Sequence, residues 1–249
     1  MILAAAPVRS ETLTLVTAAN TVDTLTSEVI VREAYKRLGI DVEIKKFPGE
    51  RALKMANDGK VAGDVQRIDK LSAKYPNLVQ IKPAINYIEA SAFASDPSLS
   101  ALTWAELKPY RIGIIRGIKF AEGGTQGMDR YLASDYAGLF KMLHKKRVDV
   151  AVSPSLNGRY QMQTLGINGI SELRPAIARF DLFHYVHVKN AALAPKLSAV
   201  FTDMQQAGQL NAIRDHVIGK LLEPASKAKD KCLHDYACLE RGLTFLTAR

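Results

Sequence analysis

The stretch GKVAGDVQRIDK, residues 59–70, decides how the rest of the chain is read. Its centre, VAGDVQRI, is short, apolar and bounded by Gly59, as a strand buried in a sheet is. Asp64 and Arg67 sit where such a strand leaves its sheet. They are either a solvated strand end or the floor of a binding site. Upstream, LTLVTAAN (13–20) is β-branched and reads as a strand closing at Asn20. A helix between Thr26 and Leu38 follows, with Val29, Ile30, Ala34, Tyr35 and Leu38 on one face and Gly39 as its stop. IDVEIKKF is a second strand, turned by Pro48-Gly49 into the short helix ERALKMANDG. Strand and helix alternate at intervals too short for an antiparallel meander, which predicts a parallel α/β sheet.

Downstream the pattern repeats. After the turn-rich SDPSLSALTWAELKPY, RIGIIRG (111–117) reads as a buried strand. A helix is expected from about Met128 to Lys145, then the strand RVDVAVSP and a helix N-capped by Ser153 or Ser155. LFHYVHVK is the last strand, and the chain from Pro195 onward is helical. No fixed-period repeat, low-complexity segment or long linker occurs, so two α/β halves sharing strands are expected.

Composition is that of a globular chain: 249 residues, 47% hydrophobic and 24% charged. No apolar run reaches the about 18 residues of a membrane-spanning helix. A formal charge of +9 is compatible with nucleic acid, an anionic surface or an anionic ligand. The basic residues are scattered, without a basic helix or an aromatic-interleaved patch, which argues against nucleic acid. The start, MILAAAPVRSETLTLV, reads as the tail of a secretory signal or a remnant in residues 1–10; a frayed end of a cytosolic protein is the other reading. Cys232 and Cys238 flank His234 in KCLHDYACLE. In an exported protein they would form a disulfide worth roughly 2 kcal/mol; a weak metal site and two reduced thiols are the alternatives.

The order of these blocks resembles the bilobal extracellular solute-binding proteins of the polar amino-acid ABC importer type, family 3. The landmarks are LTLVTA, EVIVREAYKRLGIDVEI, ERALKMANDGKVAGDVQR, INYIEASAFA, TWAELKPYRIGIIRGIKFAE, LHKKRVDVAVSP and PKLSAVFTDMQQAGQLNAI, covering most of residues 11–220. The resemblance implies a two-lobed periplasmic-binding-protein type II fold with an α/β sheet in each lobe. Lobe 1 would hold 11–92 and 188–249 and lobe 2 would hold 93–187, with AFA and YVHVK as a two-segment hinge. It also implies a small-molecule ligand in the cleft, an importer permease or membrane sensor as partner, a periplasmic monomer, and no cofactor.

In open parallel sheets ligands sit beyond the carboxyl ends of the strands. Arg67 lies at such an end, and the resemblance gives it the ligand carboxylate to grip through its planar fork; Asp64 is read as structural. Asn20 and Glu50 lie at neighbouring strand ends, and Arg51 is either a second ligand residue or a solvated first-turn side chain. Backbone N–H groups at Gly117, Ile118 and Lys119, with Arg116 beside them, would hold an anionic group. Where amino-acid binders carry Ser or Thr this chain has Ile118, and where their ammonium-gripping acid sits it has Ser153 and Pro154. Those departures, with Arg51, Arg67, Arg116 and Lys119, shift the expectation to a carboxylate or other anion.

No catalytic arrangement stands out. His184 and His187, three apart in a strand, point to opposite faces; His184 either faces the cleft or is a hydrogen-bonded strand histidine. GGTQG lacks the Lys-Ser/Thr of a phosphate loop, and SPSLNG lacks a nucleophile-elbow pattern. Tyr87, Trp104 and Tyr110 either stack on a ligand or pack. A non-enzymatic receptor is therefore expected. The alternatives are a dehydratase-like enzyme using Glu50 or Glu89, and a regulatory or sensor protein with a degenerate cleft.

Overall fold

A computed structural model describes residues 12–19, 21–69, 71, 73–100, 102–223 and 236–244. Its elements are β1 (Leu13–Ala18), α1 (Asp23–Arg37), β2 (Val42–Phe47), α2 (Gly49–Asn57), β3 (Gly63–Ile68), β4 (Leu78–Ala94), β5 (Ile112–Ile115), α3 (Lys119–Gly124), β6 (Arg130–Ala133), α4 (Tyr136–His144), β7 (Val150–Pro154), α5 (Ser155–Leu165), β8 (Ser171–Glu172), β9 (Ala178–His187), α6 (Ala194–Gln206), α7 (Gln209–Leu221) and α8 (Tyr236–Glu240).

The strands run in the order β2-β1-β3-β9-β4-β7-β5-β6, with β8 on β4. The parallel expectation holds within each wing, β2-β1-β3 and β7-β5-β6. Between the wings lie the long strands β4 and β9, antiparallel to each other and to β3 and β7. Their register slips between Ile81 and Asn86, where Pro83 has no N–H to give a ladder. Before the slip, Leu78–Ile81 pair with His184–His187, and Tyr185 and Val186 also pair with β3. Beyond it, Ala90–Ala94 pair with β7.

Both faces of each wing are covered. α1 is buried along nearly its whole length, with Val29, Ile30, Val31, Ala34 and Tyr35 at 0% exposure against Leu15, Val65, Val186, Phe201 and Ile213. Each of these valines and isoleucines contributes about 1.5–3 kcal/mol of burial. The opposite face holds Val16, Leu53, Ala56, Leu78 and Tyr185. In the other wing the strand alternation sorts side chains between two layers. Ala92, Ala94, Val150 and Val152 join Ile112 and Ile114, whereas Phe93 and Ala151 join Leu139, Phe140 and Leu143. Trp104 and Tyr110 pack against the first of these layers. The last helix, α8, docks on α1, where the Tyr236 hydroxyl donates to the buried Glu28 carboxylate and Arg32 lies over the Tyr236 ring.

Three local expectations change. α1 begins at Asp23, three residues earlier than the apolar stripe suggested, and ends as expected at Gly39 with φ +71°. The helix expected from Met128 is instead a strand, Arg130–Ala133, followed by a helix from Tyr136. Asp135 forces that break, because its side chain accepts from the Gly138 N–H at 2.7 Å and so starts the helix there. Neither serine caps α5: Pro154 holds the cap position, the Ser153 hydroxyl donates to the Pro154 carbonyl, and the Ser155 hydroxyl accepts from Arg174.

Candidate functional site

The opening pair, Asp64 and Arg67, closes on itself. Asp64 is fully buried in β3, and Arg67 donates to one of its oxygens from Nε at 2.8 Å and Nη2 at 2.7 Å. The same Nη2 donates to the Gly49 carbonyl at 3.0 Å, so the arginine ties the β3 bulge to the start of α2. Burial pushes the Asp64 carboxyl up, and the Arg67 guanidinium works against that shift. Arg67 therefore spends most of its fork inside the protein.

The turn expected to hold an anion is also occupied. The Gly117 N–H donates to the Glu122 carboxylate at 2.6 Å and the Ile118 N–H to the Ile115 carbonyl at 3.2 Å. Lys119 pairs with Glu122 at 3.3 Å. The Gly117 N–H holds the Glu122 carboxyl below the usual range. A glutamate one turn along the helix thus fills the hollow left for a ligand. Arg51 and Arg116 are exposed, and the Arg51 guanidinium lies 5.0 Å from the Phe47 ring centre. Glu50 accepts from Lys74 and Tyr75, bonds that hold its carboxyl low, and Lys119 of the other wing acts on it as well.

His184 does not face a cleft. It is fully buried, with Nε2 paired to the Tyr35 hydroxyl at 3.0 Å and Nδ1 to the Val65 carbonyl at 3.2 Å. Burial pushes its pKa down to about 4, so the neutral ring with Nδ1–H is the resident form. Tyr87 carries two guanidinium groups against its ring, Arg179 at 3.6 Å and Arg214 at 3.8 Å. Asn20, Cys232 and His234 lie outside the described residues, and with them the expected disulfide or metal pairing of Cys238.

What the structure brings together instead is a polar seam between the wings, built where the N-termini of α1, α4 and α5 converge. The Asn157 amide oxygen accepts from the Val22 N–H at 3.0 Å and the Thr21 hydroxyl at 3.1 Å. The Asn157 amide nitrogen donates to the Asp23 carboxylate. Asp23 is 9% exposed, and burial pushes its pKa up to about 7 against the weaker pull of the Arg214 charge. The Tyr136 hydroxyl is buried close enough to feel that charge and lies beside the Thr21 side chain. Beside the seam, Arg214 reaches from α7 to Asn86 and to the Tyr87 carbonyl, and Asn86 donates to Ser27.

Residue reading missed Thr21, Asp23, Tyr136 and Asn157. A signal existed for Asp23, an acid just after a strand and just before an apolar helical stripe. Nothing local marked Asn157 as its partner. Elsewhere, a shallow hollow of about 510 Å³ is lined by Lys119, Glu122, Gly123, Gln126, Arg130 and Leu132. Its charges answer one another, Arg130 donating to the Glu122 carbonyl and Lys119 pairing with the Glu122 side chain. Among the described residues no cluster of three or more His, Cys, Asp or Glu side chains is placed to hold a metal, and no helix is long and apolar enough to cross a membrane.

Two parallel wings strung on a pair of long shared strands, with helix N-termini meeting at the seam, match solved structures closely. A histidine kinase sensor domain with similarity to periplasmic binding proteins superposes with a TM-score of 0.68 at 18% identity, covering 83% of this chain and 96% of that one. The fold is the two-lobed periplasmic-binding-protein type. An amino acid ABC transporter substrate-binding protein from Streptococcus pneumoniae, bound to L-arginine, also reaches 0.68, at 11% identity over 85% of this chain and 96% of its own. In sequence, an uncharacterized protein of Shewanella oneidensis is 27% identical over 196 residues, 73% of this chain and 72% of that protein. No protein-family model matches the chain.

Proposed function

We propose that the protein is a non-enzymatic receptor that closes its two lobes around a small polar solute. The observation that carries this reading is the seam itself: Asn157 of one lobe bonded to Thr21, Val22 and Asp23 of the other. Polar groups in that state favour whichever conformation supplies partners, and a solute that bridges both lobes binds the closed form better than the open one. The hinge in this reading lies at the slip between Ile81 and Asn86 of β4 and at the facing part of β9, so that His184–His187 belong to lobe 1. The S. pneumoniae neighbour is a substrate-binding protein of an amino acid transporter, which supports an exported receptor delivering to an importer. The sensor-domain neighbour favours a second reading, in which the same capture is reported to a membrane sensor. An enzyme on this scaffold finds less support: Glu50 is held low by Lys74 and Tyr75, and Glu89 is paired with Arg174 at 3.0 Å.

Thermal unfolding of protein refolded free of bound solute, against amino acids, polyamines, sugars and small carboxylates, tests the reading. A saturable rise in Tm with one class is the expected result. No rise across the panel removes solute capture and leaves a degenerate cleft. Turnover of any member replaces the receptor with an enzyme.

A further inference from the structure

We propose that the end of α4 and its turn into β7 form a docking surface for an anionic phospholipid membrane. The surface is made of Lys141, Lys145, Lys146 and Arg147, all exposed, with His144 among them. No ion pair or side-chain hydrogen bond engages any of these four cations among the described residues. α4 starts at the seam and runs nine residues, about 13 Å, away from it, so the patch lies at the far tip of the β7-β5-β6 wing. The inference makes no use of the solute site and is tested apart from it.

Folding alone does not account for the patch. α1, α2 and α5 close with a glycine in the left-handed region, Gly39 at φ +71°, Gly59 at +69° and Gly166 at +61°. In each, the glycine N–H and the one after it reach back to carbonyls three and five residues earlier. α4 closes with the same two bonds, from the Lys146 N–H to Leu143 at 3.0 Å and from the Arg147 N–H to Met142 at 2.9 Å. Here, however, Lys146 holds the glycine position at φ +54°, the one non-glycine at positive φ among the described residues. A side chain is strained there. Lys141 and Lys145 also stand four apart on the helix, where like charges repel. The helix dipole favours a cation in the last turn but fades beyond it, where Lys146 and Arg147 stand. The acid of the turn, Asp149, is already gripped by Arg111 at 2.6 and 3.0 Å, and Arg111 also holds the Lys146 carbonyl at 3.0 Å. The other acid nearby, Asp129, also acts on Arg111. The turn is thus fixed in place with its positive charge unanswered.

The residue types choose the partner. Three of the four cations are lysines, hydrated point charges without the planar fork that singles out one carboxylate. Such a cluster answers a broad field of negative charge, as an anionic lipid surface presents. Tyr131, 41% exposed on the edge strand β6, lies near enough to act on Arg111 and adds an amphipathic ring of the kind that sits at headgroup level.

Co-sedimentation of the full chain with vesicles of phosphatidylcholine alone, and of phosphatidylcholine mixed with phosphatidylglycerol, tests this. Lys145→Gln/Lys146→Gly/Arg147→Gln removes three of the charges and gives the turn its glycine, so the variant should unfold at the same or a higher temperature. Lys36→Gln/Lys189→Gln/Lys196→Gln removes three exposed charges elsewhere and controls for net charge. The expected result is binding to the phosphatidylglycerol vesicles only, lost in high salt. The turn variant should bind at least about tenfold more weakly, and the control should stay close to the native chain. Equal loss in both variants, or equal binding to vesicles of phosphatidylcholine alone, overturns the inference. A chain that ignores both vesicles overturns it too, and its retention on immobilised polyglutamate would give the turn to an acidic protein instead. Solute-induced stabilisation should be the same in the turn variant as in the native chain, so failure of the membrane surface leaves solute capture standing.

Discussion

Asp23 and Asp64 are two buried aspartates in one protein, and burial raises the carboxyl of each. They differ in what answers the charge. Asp64 has an arginine three residues away along its own strand, and the pair also holds the start of α2. Asp23 meets neutral side chains, one of them 134 positions away in the other lobe. The first arrangement is complete without a ligand and acts as structure. The second joins the two lobes through hydrogen bonds from neutral groups, with Arg214 acting on Asp23 only through its charge.

The contrast breaks first at Arg67. Arg67→Ala leaves Asp64 buried without its cation and should cost about 4 kcal/mol, read by urea unfolding at pH 8; a loss below about 1 kcal/mol would show that water already serves Asp64. The companion Asp64→Asn/Arg67→Met, which removes both charges, should recover most of that stability.

Next is His184, a buried titratable group in the same wing as Asp64. Its folded pKa of about 4 lies below the ordinary 6.5, so the unfolded chain binds the extra proton between those values. Its contribution is fully present above pH 6.5 and is lost as pH falls toward 4, by up to about 3 kcal/mol. His184→Leu should flatten that part of the stability profile even if it lowers stability at pH 7. An unchanged slope would place the titration elsewhere.

Asp23 has the opposite sign. Its folded pKa of about 7 lies above 3.8, so the folded chain holds the extra proton, and stability falls as pH rises from about 4 through 7. Asp23→Asn should therefore stabilise the empty protein at pH 8 by about 2 kcal/mol and do little at pH 4. A destabilised variant at pH 8 would mean that Asp23 already has its counter-ion, and the contrast with Asp64 would collapse.

The smallest effect belongs to the turn at α3. Glu122→Gln weakens its partly solvated pairing with Lys119 and should change stability by no more than about 0.5 kcal/mol. It also weakens the bond to the Gly117 N–H, so any new affinity for succinate in this variant, read by titration calorimetry, would show how thoroughly Glu122 excludes anions from that turn.

Much of the fold was legible. The alternation of LTLVTA, the α1 stripe, VEIKKF and GDVQRI is a direct consequence of period, and Gly39 stopped its helix where expected. β6 was not legible, since RYLA is four residues long and owes its strand to pairing with β5. The site was legible only in part: strand ends were the right places to look, but residue type alone could not say which charges were already taken. Arg67 matched a ligand grip in type and position and proved to be bonded within the chain.

The sequence by itself determined the α/β alternation, the buried faces and the division into two halves that share strands, because hydrophobic period and turn chemistry act over a few residues. Only the tertiary structure decided that Glu122 fills the glycine turn and that Asn157 meets Asp23. Charge pairing depends on distance and burial in space, and residues 134 positions apart come within hydrogen-bond reach only when the chain has folded.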